Sequence, residues 1–151
     1  MVRALTASDD PAARALAHAA YDGTRNLARA LELIALAVSG EDPECVGVVS
    51  TTDAVVDALL LHGPIAGALA VEKLHLLVGR EAASSAALLD AFCREAGWRM
   101  IVCEVPADTR HATTVSVLAA RGFTGEGSVA TYFDDDTDLL IFVLRRDAGE
   151  G

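Results

Sequence analysis

The spacing of apolar residues changes along the chain, and each change marks an element. Val2 to Thr6 alternates apolar and polar positions, as a short edge strand does. Ser8-Asp9-Asp10-Pro11 reads as a helix start with an acidic cap and a proline suited to the first turn. That helix runs to about Tyr21, where Asp22-Gly23 breaks it. Thr24 is placed to cap a second helix, whose stripe Leu27, Leu31, Ile34 and Val38 recurs at helical spacing until Ser39-Gly40. Cys45 to Thr51, Val55 to Leu61 and Ile65 to Val78 read as strands with turns at Asp53 and His62-Gly63-Pro64. Their links are too short for crossover helices, so the pattern predicts antiparallel pairing.

Helical spacing returns at Arg80 to Ala96, with Leu88, Leu89, Phe92, Cys93 and Ala96 on one face and Gly97 as the stop. Met100 to Val105 is a dense apolar strand ended by Pro106. Asp108 or Thr109 then caps a helix to Arg121, with Gly122 at its end and Phe123 placed for the accompanying apolar contact. Phe123 to Phe133 and Leu139 to Leu144 make a closing hairpin around Asp134-Asp135-Asp136-Thr137-Asp138. The order β-α-α-β-β-β-α-β-α-β-β, without linker or repeat, predicts one α/β domain with a mixed sheet.

At 151 residues the chain suits a single domain with one buried core. Its 12 basic and 22 acidic residues give a net charge of −10, and no basic patch is visible. Such a surface repels phosphate backbones, which argues against a nucleic-acid partner, and it would steer a basic one inward. Lys73 is the only lysine, so a Schiff-base mechanism has one candidate. Cys45, Cys93 and Cys103 form no metal or disulfide spacing, and no metal is expected. The longest uncharged apolar run, Ala58 to Val71, is interrupted by Gly63, Pro64 and Gly67 and falls short of a membrane span. With no apolar leader at the N-terminus, a cytoplasmic location is expected.

The element order, the segment Val115 to Phe123 ending in Gly-Phe, and the closing hairpin together resemble the GNAT superfamily of N-acetyltransferases over nearly the full length. Leu74-His75-Leu76 followed by a helix carrying Leu88-Leu89 resembles that family's cofactor-binding segment. The resemblance implies a single-domain GNAT-like acyl-CoA N-acyltransferase fold over residues 1–146, with a mixed, mostly antiparallel sheet flanked by helices and a flexible tail at 147–151. It implies acetyl-CoA as co-substrate and a small-molecule or peptide amine as acceptor. The amides of Leu76, Leu77 and Val78 would hold the acyl carbonyl, and Arg80, Ser84 and Ser85 would face the pyrophosphate at a helix N-terminus. Glu72, four residues before Leu76, matches the general-base position of some members. His111 stands where many members carry Asn, close to the cofactor. Leu118 stands where many carry a Tyr that protonates the leaving thiolate. Ala83 and Ser85 occupy glycine positions of the phosphate loop, and Glu81 adds a negative charge there.

Ala83, Glu81 and Leu118 also motivate a second reading, a GNAT-like domain that keeps the fold without the chemistry and serves binding, with a homodimer through exposed apolar strands. Glu72 and Glu104 are charges within apolar strands, placed at a cleft or a solvated edge. By strand alternation His75 should face away from Glu72. Cys103 reads as core. The aspartates at 134–138 lack the glycine and distant Glu of a calcium loop and read as a turn. Gly125 to Ala130 matches a dinucleotide fingerprint in letters but opens no helix.

Overall fold

The structure is a computed structural model that describes residues 1–95 and 97–146. The proposed tail at 147–151 and the predicted helix residue Ala96 lie outside the described residues. Seven strands form one sheet in the order β1-β2-β3-β4-β5-β7-β6. The strands are β1 (Val2–Ala4), β2 (Val46–Thr52), β3 (Val55–Pro64), β4 (Val71–Gly79), β5 (Met100–Pro106), β6 (Thr124–Asp134) and β7 (Thr137–Arg145). The helices are α1 (Asp10–Tyr21), α2 (Asn26–Ser39), α3 (Ala82–Cys93) and α4 (Ala112–Ala120). Every strand pair is antiparallel except β4 with β5.

The sheet separates two apolar clusters. Leu16, Ile34, Leu59, Leu61, Leu76 and Val78 meet α1 and α2 on one face, and Leu60, Leu74, Leu77, Leu88, Phe92 and Leu118 meet α3 and α4 on the other. The stops work as the sequence suggests. Gly40 adopts a left-handed conformation (φ 68°) at the end of α2. Gly122 (φ 92°) ends α4, where the Phe123 N–H donates to Leu118 O at 3.2 Å and the Phe123 ring is buried.

Local readings differ in several places, and His62-Gly63-Pro64, expected as a turn, lies within β3 and pairs with β4. Thr24 caps the end of α1 rather than the start of α2, because its hydroxyl donates to Tyr21 O at 2.7 Å. The strand expected from Ile65 starts only at Val71. Gly67 (φ 81°) and Ala70 (φ 54°) take a turn there, closed by Ile65 N–H donating to Val71 O at 3.1 Å. The helix expected from Arg80 starts at Ala82, after an extended Glu81, and ends at Cys93. The predicted fourth helix opens as a 3-10 turn, Thr109–His111, before α4 proper.

Two irregularities of the central strands shape everything near them. Leu61 pairs with Leu76 and His62 with Leu74, so His75 is an extra residue, a bulge in β4. The bulge reverses alternation, placing Glu72, Leu74 and Leu77 toward α3 and Leu76 and Val78 toward α1 and α2. In addition, β4 and β5 pair only from Val71 with Met100 to Leu74 with Cys103. Past that point β4 continues along β3 and β5 continues along β7, so the two parallel strands part.

The N-terminal strand is pinned to α1 by one ion pair. Arg3 donates to both carboxylate oxygens of buried Asp9 at 2.7 and 2.8 Å. These bonds hold the Asp9 carboxyl well below the usual carboxylate range, against the opposing effect of burial, and Thr6 N–H adds a further bond at 2.8 Å. A carboxylate made more acidic by folding contributes stability above its unfolded pKa of about 3.9, and the contribution fades as pH falls below that value. Asp9→Asn is expected to cost about 1–2 kcal/mol at pH 7. The gap between wild type and variant should narrow from pH 5 toward pH 2 in urea titrations.

Candidate active site

Where β4 and β5 part, a cleft opens whose floor carries Leu74, His75, Leu76 and Leu77 from β4 and Cys103 to Pro106 from β5. Tyr21 of α1, Asn26, Arg29 and Leu33 of α2, Phe133 of β6, and His111 and Thr114 at the start of α4 form its walls. Beyond the last paired residues, the backbone edges of β4 and β5 that face each other have no strand between them. Such an edge can accept an extended ligand as an added strand.

Charged groups meet at the mouth. Lys73 of β4 and Glu104 of β5 lie on the same side of the sheet, with Lys73 Nζ 3.3 Å from Glu104 Oε1. His75 Nε2 is 2.8 Å from Glu44 O, and since a carbonyl only accepts, Nε2 carries the hydrogen. Burial pushes the His75 imidazole down, and Lys73 and Arg29 push the same way against the Glu44 hydrogen bond. Its neutral ring therefore keeps an acceptor at Nδ1. His111 is buried, with Nδ1 2.6 Å from Asp108 Oδ1, and its ring stacks on Tyr21 at 5.0 Å between centroids. Burial pushes the Tyr21 phenol up.

A groove between α3 and α4 is lined by small residues, Ala82, Ala83, Ala86, Thr113, Ser116 and Ala120 among them. At the N-terminus of α3, the Ser84 N–H bonds Glu81 O at 3.1 Å, while the helix's first two N–H groups have no helical partner. The Arg80 N–H bonds Asp57 O at 2.9 Å and fixes this turn, leaving the Arg80 guanidinium exposed and without a hydrogen-bond partner among the described residues.

The residues singled out from sequence divide accordingly. Leu76, Leu77 and His111 line the cleft. Val78 packs into the core beneath α1 and α2. Arg80 and Ser84 stand at the turn entering α3. Ser85 is buried against the β4 end, where a Cβ on Gly79 would overlap its hydroxyl, so it does not reach the face of the loop. Glu72 is not brought to the cleft. The His75 bulge turns it to the opposite face, where Oε2 lies 3.3 Å from His62 Nδ1 beside Phe92 and Trp98. Glu104 is the carboxylate in the cleft. Sequence reasoning did not find Tyr21, Asn26, Arg29 or Phe133, and it singled out Lys73 only as the lone lysine. They converge from elements far apart in the chain, and no local spacing announces them. The aspartates at 134–138 are spent on the hairpin, with Asp134 Oδ1 accepting from Asp136 N–H and Asp138 Oδ1 from Thr131 N–H, both at 2.9 Å.

These features define a class by fold. The chain has the fold of the GNAT acetyltransferases, a seven-stranded, mostly antiparallel open sheet with four helices. It is similar to a GNAT-family protein from Desulfovibrio desulfuricans, with a TM-score of 0.82 and 19% identity over 96% of this chain and 98% of that one. It is also similar to the ribosomal-protein-S18-alanine N-acetyltransferase of Escherichia coli, with a TM-score of 0.76 and 18% identity over 100% and 97%. The aminoglycoside 6'-N-acetyltransferase of Enterococcus faecium superposes with a TM-score of 0.71 at 11% identity over 96% of each chain. No protein-family model matches the sequence, and no curated protein matches it.

None of the cysteines is set up as a nucleophile. Burial pushes the Cys103 thiol up to about 12 and the Cys93 thiol to about 11, and it raises Cys45 as well. At pH 8 the native thiols should react with an alkylating reagent on the order of 100-fold more slowly than in urea, where all three become accessible. Timed alkylation followed by mass spectrometry reads this directly.

Proposed function

We propose that this protein is an acyl-CoA-dependent N-acetyltransferase that acetylates a primary amine in the β4/β5 cleft. The observation that carries the reading is the parting of β4 from β5 with one carboxylate, Glu104, at the mouth. It gives an extended acyl carrier an unpaired strand edge and gives an incoming amine a base. Acetyl-CoA would supply the activated acyl group. The edges of Leu76 and Leu77 would lie along its pantetheine arm, and the N-terminus of α3 with Arg80 and Ser84 would meet its phosphates. The groove of alanines between α3 and α4 offers close approach beside that helix end. Ser85 is outside this set.

Glu104, rather than Glu72, is the base in this reading. It would take the amine proton directly or through a water, and Lys73 would hold its carboxylate in place. A net charge of −10 favours encounter with a cationic amine. The soluble domain would act in the cytoplasm. Among the described residues no helix is long and apolar enough to cross a membrane.

A thermal melt with acetyl-CoA at 100-fold above its Kd should show about 2.7 kcal/mol of stabilisation. Thiol release from acetyl-CoA should then follow with a panel of primary amines comprising an N-terminally free tripeptide, a polyamine and an aminoglycoside. Glu104→Gln should lower kcat by roughly 10²- to 10⁴-fold near neutral pH while keeping the melt shift, and Glu72→Gln should leave kcat near wild type. No shift at millimolar acetyl-CoA would favour the fold-without-chemistry reading instead.

A further inference from the structure

We propose that Asp108 and His111 form a proton-transfer pair in the cleft, with His111 Nε2 as the atom that protonates the departing thiolate, an assignment that rests on the acyl-transfer reading above. Asp108 precedes the 3-10 turn, and its Oδ1 accepts from the His111 backbone N–H at 3.1 Å and from His111 Nδ1 at 2.6 Å. A carboxylate accepts and does not donate, so the hydrogen sits on Nδ1. The Tyr21 ring, from the other end of the sequence, stacks on the imidazole with planes 23° apart and fixes its orientation. One edge and one face of the ring are thereby set.

The remaining nitrogen, Nε2, has no hydrogen-bond partner among the described residues. Yet no buried side-chain nitrogen or oxygen there lacks a partner. Nε2 therefore reaches open space, and the space that His111 lines is the β4/β5 cleft. A capping residue alone would not need an imidazole whose far nitrogen opens onto that cleft.

Acyl transfer needs a proton at the sulfur as well as a base for the amine. Position 118, one helical turn before Gly122, is a leucine buried under the sheet and supplies none. Asp108 on its own turn and Tyr21 from α1 touch the His111 ring, and the cleft it lines also carries Cys103 and Glu104 from β5, His75 and Lys73 from β4, and Arg29 from α2. Arg110 points the other way, donating to Ala20 O and Asp22 O. Burial keeps Tyr21 and Cys103 protonated, the Lys73 ammonium pairs with Glu104, and His75 spends its N–H on Glu44 O. His111 is left as the group whose free ring nitrogen can exchange a proton in the cleft, with its other nitrogen held by Asp108.

The balance closes. Glu104 takes the proton that the amine nitrogen releases as it bonds to the acyl carbon. His111 gives its Nε2 proton to sulfur as the carbon–sulfur bond breaks. Return of one proton from the Glu104 carboxyl to Nε2 through solvent restores both residues.

The test compares His111→Asn, His111→Gln and Asp108→Asn in the full chain. The readouts are circular dichroism, the melt shift with acetyl-CoA, pH–rate profiles of thiol release with the amine panel, and imidazole ¹⁵N spectra. Asn at 111 can keep the hydrogen bond that Nδ1 makes to Asp108 but has nothing at the Nε2 position. Both His111 variants should fold, keep the melt shift, lose kcat by roughly 10²- to 10⁴-fold, and lose the alkaline limb of the wild-type pH profile. Asp108→Asn should move that limb to lower pH and shift the His111 ¹⁵N signals. Wild-type kcat in His111→Asn would overturn the assignment and leave a capping role. So would a kcat loss matched by loss of the melt shift, or an unchanged pH limb in Asp108→Asn. Wild-type protein that neither binds acetyl-CoA nor turns over would overturn this assignment and the acyl-transfer reading together. Wild-type turnover with indifferent His111 variants would overturn this one alone.

Discussion

The separation of two parallel strands organises this molecule. β4 and β5 share four residue pairs and then diverge, each still held on its far side by an antiparallel partner. Neither strand loses its place in the sheet, because β3 and β7 keep half of its backbone groups paired. What is given up is the ladder along one short edge. An unpaired backbone edge is costly unless water or a ligand meets it, so the divergence is at once a structural expense and an opening. The apolar clusters on the two faces of the sheet pack the diverging strands from above and below.

The side chains that meet at the split come from several elements. On the α1/α2 side, Lys73 and Glu104 pair across the opening. The bulge at His75 decides which β4 side chains join them. By adding one residue to the strand it sends Glu72 to the α3 face and brings His75 to the cleft. At the far wall, α4 begins with a turn whose cap, Asp108, also orients the imidazole of His111. One carboxylate thus serves the helix end and the ring, and Tyr21 fixes that ring from a helix 90 residues earlier.

The single lysine of the sequence is spent in the cleft, paired with Glu104. Arg3 and Asp9 anchor the first strand, and Arg121 with Asp90 ties α4 to α3 through bonds of 2.8 and 3.1 Å. Each pair is formed between elements and not within one, so they fix how the layers sit on one another.

Much of the fold was legible in the sequence, because its signals are local. The stripe Leu27, Leu31, Ile34 and Val38 needs only a helix of 3.6 residues per turn to define a face, and Gly40 and Gly122 need only their own backbone freedom to end one. The resemblance in element order rested on the same local signals, and the superposed structures bear out the fold it implied. The site was legible only in part. Leu76, Leu77 and His111 line the cleft, and Arg80 and Ser84 stand at the turn entering α3, because short-range order places them. Ser85 and Glu72 do neither, because one residue of bulge and the packing of Gly79 against α3 are set by the partner elements. The sequence by itself determined the number and order of the helices and strands and the glycine stops of α2 and α4. Only the tertiary structure decided which face of β4 carries a given side chain and which distant groups meet in the cleft. Register depends on the neighbouring strand, and convergence depends on the whole sheet.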